Sequence, residues 1–321
     1  MTQRDTFLDF CKGTAIFLVV LGHVLQKVIH IQDGVFDFIY LFHMPFFFML
    51  SGYLACSVHS FAISFFLKKA RTLLLPFATV GLLFTCINGE YSSFFFSDFH
   101  NGYWFLFSLF CIWCLFSIVK SIVSCCHIDN ALLELVILFL PFIIIRGGQN
   151  WLPPLIVSSL SIDFTCAFYR FFVIGYFIGK YATFNTWFQR KWVKILGTVC
   201  FILLFILSYI VDMKYIIPFT ITQILLCFGF LSLLRFLYDR YSNKICNRIE
   251  CYGRMSLEIY VFHYFMLLPI NLSVVKQNDA YMIVADIIAI AVSLLVIEVT
   301  LLLGNPMNKY KYLRFFFLGK I

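Results

Sequence analysis

The chain has 321 residues, of which 62% are hydrophobic, 20% aromatic and only 12% charged. Soluble domains carry about 45–50% apolar and about 25% charged residues, so the composition excludes a soluble globular protein and a disordered chain. A net charge of +8 in so apolar a chain does not indicate nucleic-acid binding either. The remaining class is a polytopic membrane protein, because lipid can solvate this much apolar surface.

About ten hydrophobic stretches, each bounded by charges, Pro or Gly, are long enough to be predicted as membrane spans. They do not alternate between polar and apolar residues as the strands of a β-barrel would. We therefore predict an all-α transmembrane bundle that forms a single domain over residues 1–321. In chain order the spans are 7–28, 36–57, 72–88, 103–120, 131–145, 161–179, 195–211, 216–237, 255–271 and 281–303.

The distribution of Lys and Arg predicts how these spans are oriented. Of the 24 Lys and Arg residues, 19 fall on the side of the N-terminus, four fall on the opposite side and Arg170 falls inside a span. Positive residues concentrate in cytoplasmic loops, so both termini are expected in the cytoplasm. The first stretch is interrupted by Asp9 and Lys12 and has no small-residue cleavage site after it, so we interpret it as a span rather than a cleaved signal.

Ionisable residues inside spans are energetically costly and are therefore the first functional candidates. The first span carries Asp9, Lys12 and His23. On a helix, Lys12 and His23 share one face, about 20° apart around the axis and about 16 Å apart along it. Asp9 lies three residues before Lys12 and can pair with its ammonium group. The structural alternative is a lysine that reaches the interface and a histidine that only packs.

The second span places His43 at a membrane depth comparable to that of His23, two residues before Pro45. Proline removes a backbone hydrogen bond, so we expect a kink and a released carbonyl near His43. Ser51 follows in the same span. The alternative is an ordinary proline kink beside a packed histidine.

The loop after the second span contains a basic cluster, Lys68, Lys69 and Arg71. Such a cluster anchors many membrane proteins on the cytoplasmic side. It is also suited to binding a ligand that carries phosphate groups.

Further along the chain the candidates are Trp104 and Arg170. An interfacial aromatic belt would explain Trp104 without any function. Arg170 falls near mid-membrane, and Asp163, seven residues earlier, could pair with it. The twelve cysteines include a Cys111–Cys114 pair, but no second pair stands at metal-site spacing, so we predict no metal.

Taken together these residues resemble the acyltransferase 3 family of integral membrane acyltransferases, which includes bacterial O-antigen and Nod-factor O-acetylases. The resemblance covers nearly the whole chain, and its first two motifs are specific. The matching segments are Asp9–Ala15 with Val19–His23, Phe42–Phe48 with Ser51-Gly52, Lys68–Arg71 with Pro76, and the weaker Trp104–Leu106, Phe172–Gly179 and Ser256–His263. Lys12 and Lys68 depart from the pattern, because arginine is common at both positions in the family.

The resemblance implies a membrane O-acyltransferase of the bacterial inner (plasma) membrane, with acetyl-CoA as donor substrate and no tightly bound cofactor. The acyl group would pass from cytoplasmic acyl-CoA to a sugar hydroxyl of a surface polysaccharide such as O-antigen, whether or not that acceptor is lipid-linked. His23 would be the catalytic base, since an imidazole suits proton abstraction at neutral pH. Lys12, Lys68, Lys69 and Arg71 would bind acyl-CoA, and His43, Ser51, Trp104, Arg170 and Asp9 would contact or support the acceptor.

Two other classes stay open at this point. A transporter or flippase of a glycan or lipid-linked intermediate would also need polar residues inside the membrane, although no inverted repeat is visible here. A glycan polymerase or ligase is the third reading, but the longest outer loops predicted here are short. A covalent acyl-His23 intermediate is a less favoured variant of direct transfer.

Overall fold

The computed structural model describes residues 5–58, 63–181, 186, 188–210, 219–241, 244–272 and 279–320. Within these ranges the regular structure is helical and no strand occurs. In the described part of the chain, nine helical stretches are long and apolar enough to cross a membrane, and they match nine of the predicted spans. The predicted span 255–271 instead holds a helix of 12 residues, Ser256–Leu267, which follows a second short helix. Lys214 and Lys276, two of the four outer cations, lie outside the described residues.

The helices are α1 Thr6–Val24, α2 Gly34–Ala55, α3 Ile63–Lys69, α4 Leu75–Asn88, α5 Tyr91–Phe96, α6 Trp104–Cys125, α7 Ala131–Gly148, α8 Pro154–Ser159, α9 Ile162–Lys180, α10 Lys191–Ile210, α11 Phe219–Arg240, α12 Lys244–Arg254, α13 Ser256–Leu267, α14 Asp279–Lys309 and α15 Lys311–Leu318. Two π-helical turns, Leu25–Ile29 and Ala70–Leu74, extend α1 and α3. Short 3₁₀ turns lie at His100–Gly102 and Gln149–Trp151.

The helices form two compact units. Unit 1 comprises Met1–Leu50 with Tyr181–Gly304, and unit 2 comprises Ser51–Lys180 with Asn305–Ile321. The single domain over residues 1–321 and the cytoplasmic placement of both termini stay predictions.

Unit 1 is built on a very close approach of α1 and α12. A Cβ on Gly13 would lie 1.9 Å from the carbonyl oxygen of Ile249, and a Cβ on Gly253 would lie 1.8 Å from that of Asp9. No side chain fits at either position, so the two glycines let the backbones meet, as small residues do between membrane helices. This contact fixes the end of α1 that carries Asp9 and Lys12.

An aromatic core joins α2, α10 and α11 within unit 1. The ring of Phe42 lies 5.4 Å from that of Phe201 and 5.0 Å from that of Phe230, and Phe46 lies 5.0 Å from Phe230. Edge-to-face pairs of this kind add to the energy of packing. They hold the part of α2 that carries His43.

Pro45 lies inside α2 and the helix continues through it. Because proline has no N–H, the carbonyl of Leu41 loses its partner in the helix. The side chain of Gln223 on α11 donates to that carbonyl at 3.0 Å. The carbonyl expected near His43 is thus released by Pro45, and a second helix satisfies it.

In unit 2, a buried carboxylate links three helices. Glu134 on α7 is 1% exposed and accepts hydrogen bonds from Lys120 on α6 (2.6 Å), from Tyr176 on α9 (3.0 Å) and from Lys180. Isolated charges are expensive in an apolar interior, so each of these groups depends on the others.

Candidate active site

The predicted site residues fall into both units. Unit 1 holds Asp9, Lys12, His23 and His43, and unit 2 holds Ser51, Lys68, Lys69, Arg71, Trp104 and Arg170.

His23 lies at the end of α1, and its ring is held between two tyrosines. The hydroxyl of Tyr264 on α13 lies 3.0 Å from Nε2, and the hydroxyl of Tyr40 on α2 lies 3.5 Å from Nδ1. The ring also stacks on that of His263, with centroids 5.4 Å apart and planes inclined by 25°. Both imidazole nitrogens of His23 therefore face a hydroxyl group, within an aromatic cluster of three histidines and two tyrosines.

The other two histidines of the cluster have a defined tautomer. Nδ1 of His43 lies 2.7 Å from the carbonyl of Ile39, and Nδ1 of His263 lies 2.7 Å from that of Tyr260. A carbonyl can only accept, so Nδ1 carries the proton in both rings. Nε2 of His263 is buried and has no hydrogen-bond partner within the described part of the chain. Tyr40 connects His23 to His43, which the sequence placed at a comparable membrane depth; its ring lies 4.9 Å from that of His43.

The local backbone around His23 makes room for this arrangement. A Cβ on Gly22 would lie 2.9 Å from the ring of Tyr40, so a larger residue would displace that ring. Directly after His23 the helix widens into the π-helical turn Leu25–Ile29. Single π-helical turns of this kind occur frequently at functional sites. Here the turn carries Gln26, whose side chain accepts a hydrogen bond from Tyr40 at 3.3 Å.

At the other end of α1, Lys12 pairs with Asp9 at 3.8 Å, as their spacing predicts. The Asp9 side chain is 3% exposed and that of Lys12 is 23% exposed. Because α1 is one continuous α-helix from Thr6 to Val24, Lys12 and His23 share a face at the predicted separation.

The basic cluster of unit 2 lies where α3 passes into its π-helical turn, and its three cations have different surroundings. Lys68 is exposed. The ammonium group of Lys69 lies 3.7 Å from the centre of the Trp113 ring, a cation–π contact. Arg71 donates from Nε to the carbonyl of Gly319 at 2.9 Å, after α15. The backbone of Gly319 thus orients the guanidinium group of Arg71.

The remaining predicted residues of unit 2 lie in packed surroundings. Trp104, the first residue of α6, stacks on Phe164 and Phe168 of α9 at 4.3 and 5.3 Å. The guanidinium of Arg170 lies 5.2 Å from the centre of the Phe171 ring. Ser51 is half-buried.

Asp163, which the sequence suggested as a partner for Arg170, has a partner on another helix. Asp163 pairs with Arg146 at 3.0 Å, and Gln149 donates to the same oxygen at 3.1 Å. Arg146 is the last cation of α7, and α7 packs directly beside α9.

A second polar group of unit 2 surrounds the 3₁₀ turn before Trp104. His100 and Asn101 both have positive φ angles, 43° and 54°, which non-glycine residues rarely adopt. Nδ1 of His100 donates to the carbonyl of Phe94 at 2.6 Å, and Asn101 donates to Thr85 and to the carbonyl of Glu90. Burial lowers the pKa of His100 and raises that of Asp98. The turn is therefore held by buried polar contacts despite its strain.

Several of these residues were not predicted as part of a site. Tyr264 follows the weak motif Ser256–His263 directly, so the motif pointed to the right segment without identifying its hydroxyl group. Tyr40 and Gln26 flank the two strong motifs but fall outside both. Across the described residues, no three His, Cys, Asp or Glu side chains lie close enough to hold a metal ion, and the absence of a metal stays a prediction.

The nine long apolar helices found among the described residues define the class: this is a multi-pass membrane protein. The chain belongs to the acyltransferase 3 family, whose model, described as an acyltransferase domain (Acyl_transf_3), matches residues 5–303. The resemblance predicted from the motifs is thus confirmed.

Two curated relatives match a short segment of the chain. Both are described as nodulation protein NolL. The protein of Sinorhizobium fredii is 51% identical over 59 residues, and that of Mesorhizobium japonicum is 44% identical over 59 residues. In each case the match covers 16% of this chain and 16% of the relative. No solved structure matches the chain.

Proposed function

We propose that this protein is an O-acyltransferase that moves an acyl group, first of all acetyl, from cytoplasmic acyl-CoA to a sugar hydroxyl of a bacterial surface polysaccharide such as O-antigen. It would do so in the inner (plasma) membrane. Membership of a family of acyltransferases supports the reaction class. The family resemblance of the motifs is the support for the donor, for the sugar acceptor and for acetyl over longer chains.

The observation that carries the proposal is the environment of His23. Its Nε2 already lies 3.0 Å from a hydroxyl group, that of Tyr264, inside a packed cluster of unit 1. A general base needs this relation to the hydroxyl group that it deprotonates. With an acceptor bound, His23 takes the proton from the sugar hydroxyl while that oxygen attacks the thioester carbonyl carbon. The carbon–sulfur bond breaks, and the CoA thiolate leaves with the proton returned by the imidazolium.

The basic cluster of unit 2 is the proposed site for the donor's phosphate groups. The Nη groups of Arg71 extend beyond the Nε that Gly319 holds, and a guanidinium fork held in place suits a phosphate. Lys68 is exposed and adds a second cation. Lys69 and Lys12 are kept in the proposal as donor-binding residues, although Lys69 also stacks on Trp113. His43, Ser51, Trp104, Arg170 and Asp9 are proposed as acceptor or supporting residues.

The donor site is tested by ligand stabilisation of the purified protein in detergent. A ligand that binds only the folded state increases the free energy of unfolding, by about 2.7 kcal/mol at a hundredfold excess over its Kd, and so raises the unfolding midpoint. We expect acetyl-CoA and CoA to stabilise the wild type, and Lys68→Ala to lose most of the effect. Lys191→Ala, which removes an exposed lysine of unit 1, is the matched control and should respond as the wild type does.

If acetyl-CoA at millimolar concentration does not stabilise the folded wild type, the donor assignment is wrong. Movement of a fluorescent glycan lipid across vesicles containing the protein, without acetyl-CoA, would then support the transporter alternative instead.

A further inference from the structure

A chain of four side chains crosses the histidine cluster of unit 1. The hydroxyl of Tyr40 lies 3.3 Å from Oε1 of Gln26 and 3.5 Å from Nδ1 of His23. On the other side of the imidazole, the hydroxyl of Tyr264 lies 3.0 Å from Nε2. The order along the chain is Gln26, Tyr40, His23, Tyr264.

Counting protons gives this chain a direction. A tyrosine hydroxyl has one proton, and the Tyr40 hydroxyl donates it to Oε1 of Gln26, which can only accept. The oxygen of Tyr40 can then face Nδ1 of His23 only as an acceptor. It follows that Nδ1 of His23 carries the proton of the neutral ring, and that Nε2 carries the lone pair.

The contacts at Nε2 agree with this direction. With the lone pair at Nε2, the Tyr264 hydroxyl donates to it over 3.0 Å. Tyr264 is well packed: it is 3% exposed, and its ring lies 4.3 Å from that of His263. The imidazole of His23 is therefore held from both sides, by an acceptor at Nδ1 and a donor at Nε2.

We infer that Gln26 and Tyr40 are positioning residues that fix the tautomer of His23 and so make Nε2 its basic atom. Tyr264 donates its hydrogen bond to Nε2 and holds the ring in place until the acceptor hydroxyl donates to Nε2 instead. This inference rests on the proposed function, because it assigns the base of that reaction to one nitrogen. The proton leaves the acceptor oxygen for Nε2 as the ester C–O bond forms, and it passes from Nε2 to the departing thiolate as the C–S bond breaks. Nδ1 keeps its own proton throughout.

Two structural features allow this arrangement. Gly22 lacks the Cβ that would lie 2.9 Å from the ring of Tyr40, so Tyr40 can approach the histidine that follows Gly22. Gln26 lies in the π-helical turn that starts immediately after α1. In serine hydrolases, losing the group that fixes the tautomer of the histidine base lowers kcat about 10⁴-fold, although the geometry is kept. Gln26 and Tyr40 are neutral, so we expect a smaller effect.

The tautomer can be measured without any activity. Protein labelled with ¹⁵N-histidine is studied by NMR above pH 8, and the signals of His23 are assigned by their loss in His23→Gln. We expect Nδ1 to have the chemical shift of a protonated ring nitrogen and Nε2 that of an unprotonated one, with a mixture of the two forms in Tyr40→Phe. A wild type in which Nε2 carries the proton would overturn the inference, whatever reaction the protein performs.

Kinetics provide the second test, with kcat separated from KM for acetyl-CoA. Tyr40→Phe and Gln26→Leu should lower kcat about tenfold, the effect of one neutral hydrogen bond, and should leave KM unchanged. Gln26→Glu keeps an acceptor and should retain clearly more activity than Gln26→Leu. Tyr312→Phe, which removes the hydroxyl of a 79% exposed tyrosine, is the matched control.

The two proposals can fail separately. If His23→Gln abolishes transfer but Tyr40→Phe and Gln26→Leu keep the wild-type kcat, the proposed function stands and the positioning role is wrong. If the wild type transfers no acyl group although the NMR spectra give the expected tautomer, the proposed function is wrong and the hydrogen-bond direction stands.

Discussion

The hydroxyl of Tyr264 lies 3.0 Å from Nε2 of His23, although 241 positions separate the two residues in the chain. The contact joins α13 to the end of α1 within unit 1. It places a hydroxyl group 3.0 Å from Nε2, and the proposed reaction requires a hydroxyl group at a histidine nitrogen.

Replacing Tyr264 by phenylalanine keeps the ring contacts and removes only this hydrogen bond. Without the hydroxyl, the imidazole of His23 is held from one side only, so we expect kcat to fall about tenfold or more with KM for acetyl-CoA unchanged. Steady-state rates of purified protein check this. A kcat equal to that of the wild type would show that Tyr264 does not position His23.

The buried carboxylate of Glu134 should stabilise the folded protein more than an exposed surface charge does. Glu134→Gln removes the buried charge that Lys120 and Lys180 share. Because the two lysine side chains are themselves 18% and 34% exposed, we expect a loss of about 2–3 kcal/mol, which is the scale of hydrogen bonds to a charged group. Unfolding in denaturant measures the loss. Asp163→Asn in the same unit is the control, because its pair with Arg146 is about half exposed on both sides and should contribute about 1 kcal/mol or less. Equal losses in the two variants would contradict the prediction.

The turn at His100 should make the folded protein sensitive to acid. Burial lowers the pKa of His100 in the folded state, so below the ordinary pKa of about 6.5 the unfolded chain binds a proton that the folded chain does not. This contribution to stability is complete above about pH 6.5 and is lost as the pH falls. His100→Asn, which tolerates the positive φ, should therefore lose less stability than the wild type between pH 8 and pH 5.5. Thermal midpoints that fall equally in the two proteins would exclude this contribution.

Gly319 should affect donor binding, because its carbonyl orients Arg71. Gly319 has a φ of 62°, and a Cβ there would lie 1.9 Å from the carbonyl oxygen of Arg71. Gly319→Ala should displace the carbonyl that orients the guanidinium, and we expect KM for acetyl-CoA to rise about tenfold with kcat unchanged. Gly147→Ala is the control, since its Cβ would meet no atom within 4 Å. An unchanged KM in Gly319→Ala would show that the contact between Arg71 and Gly319 does not contribute to donor binding.

The sequence predicts the fold better than it predicts the site. Long apolar runs such as 103–120 specify a helix without any knowledge of their neighbours, which is why nine predicted spans have a counterpart in the structure. The stretch 255–271 differs because helix α13 starts only at Ser256, after the separate helix α12, and ends at Leu267. The spacing of Asp9 and Lys12 is a local property of one helix, so their pairing could be predicted.

Contacts between distant segments could not be predicted. Nothing near His23 in the sequence points to Tyr264, and nothing near Arg71 points to Gly319, because both contacts depend on how helices pack. In the sequence, Glu134 is an ordinary charged residue at the edge of a span. Its role becomes visible only when the fold places Lys120 and Lys180 beside it. The pairing of Asp163 with Arg146 could not be predicted for the same reason, since Arg146 lies on another helix.

Transfer of labelled acetyl groups tests the central claim most directly. Inside-out membrane vesicles from polysaccharide-producing cells that contain the wild type or His23→Gln are supplied with [¹⁴C]acetyl-CoA, and base-labile label in the polysaccharide fraction is counted. We predict label with the wild type and only background with His23→Gln, at equal amounts of folded protein and equal stabilisation by acetyl-CoA. Wild-type labelling by His23→Gln would contradict the assignment of His23 as the base.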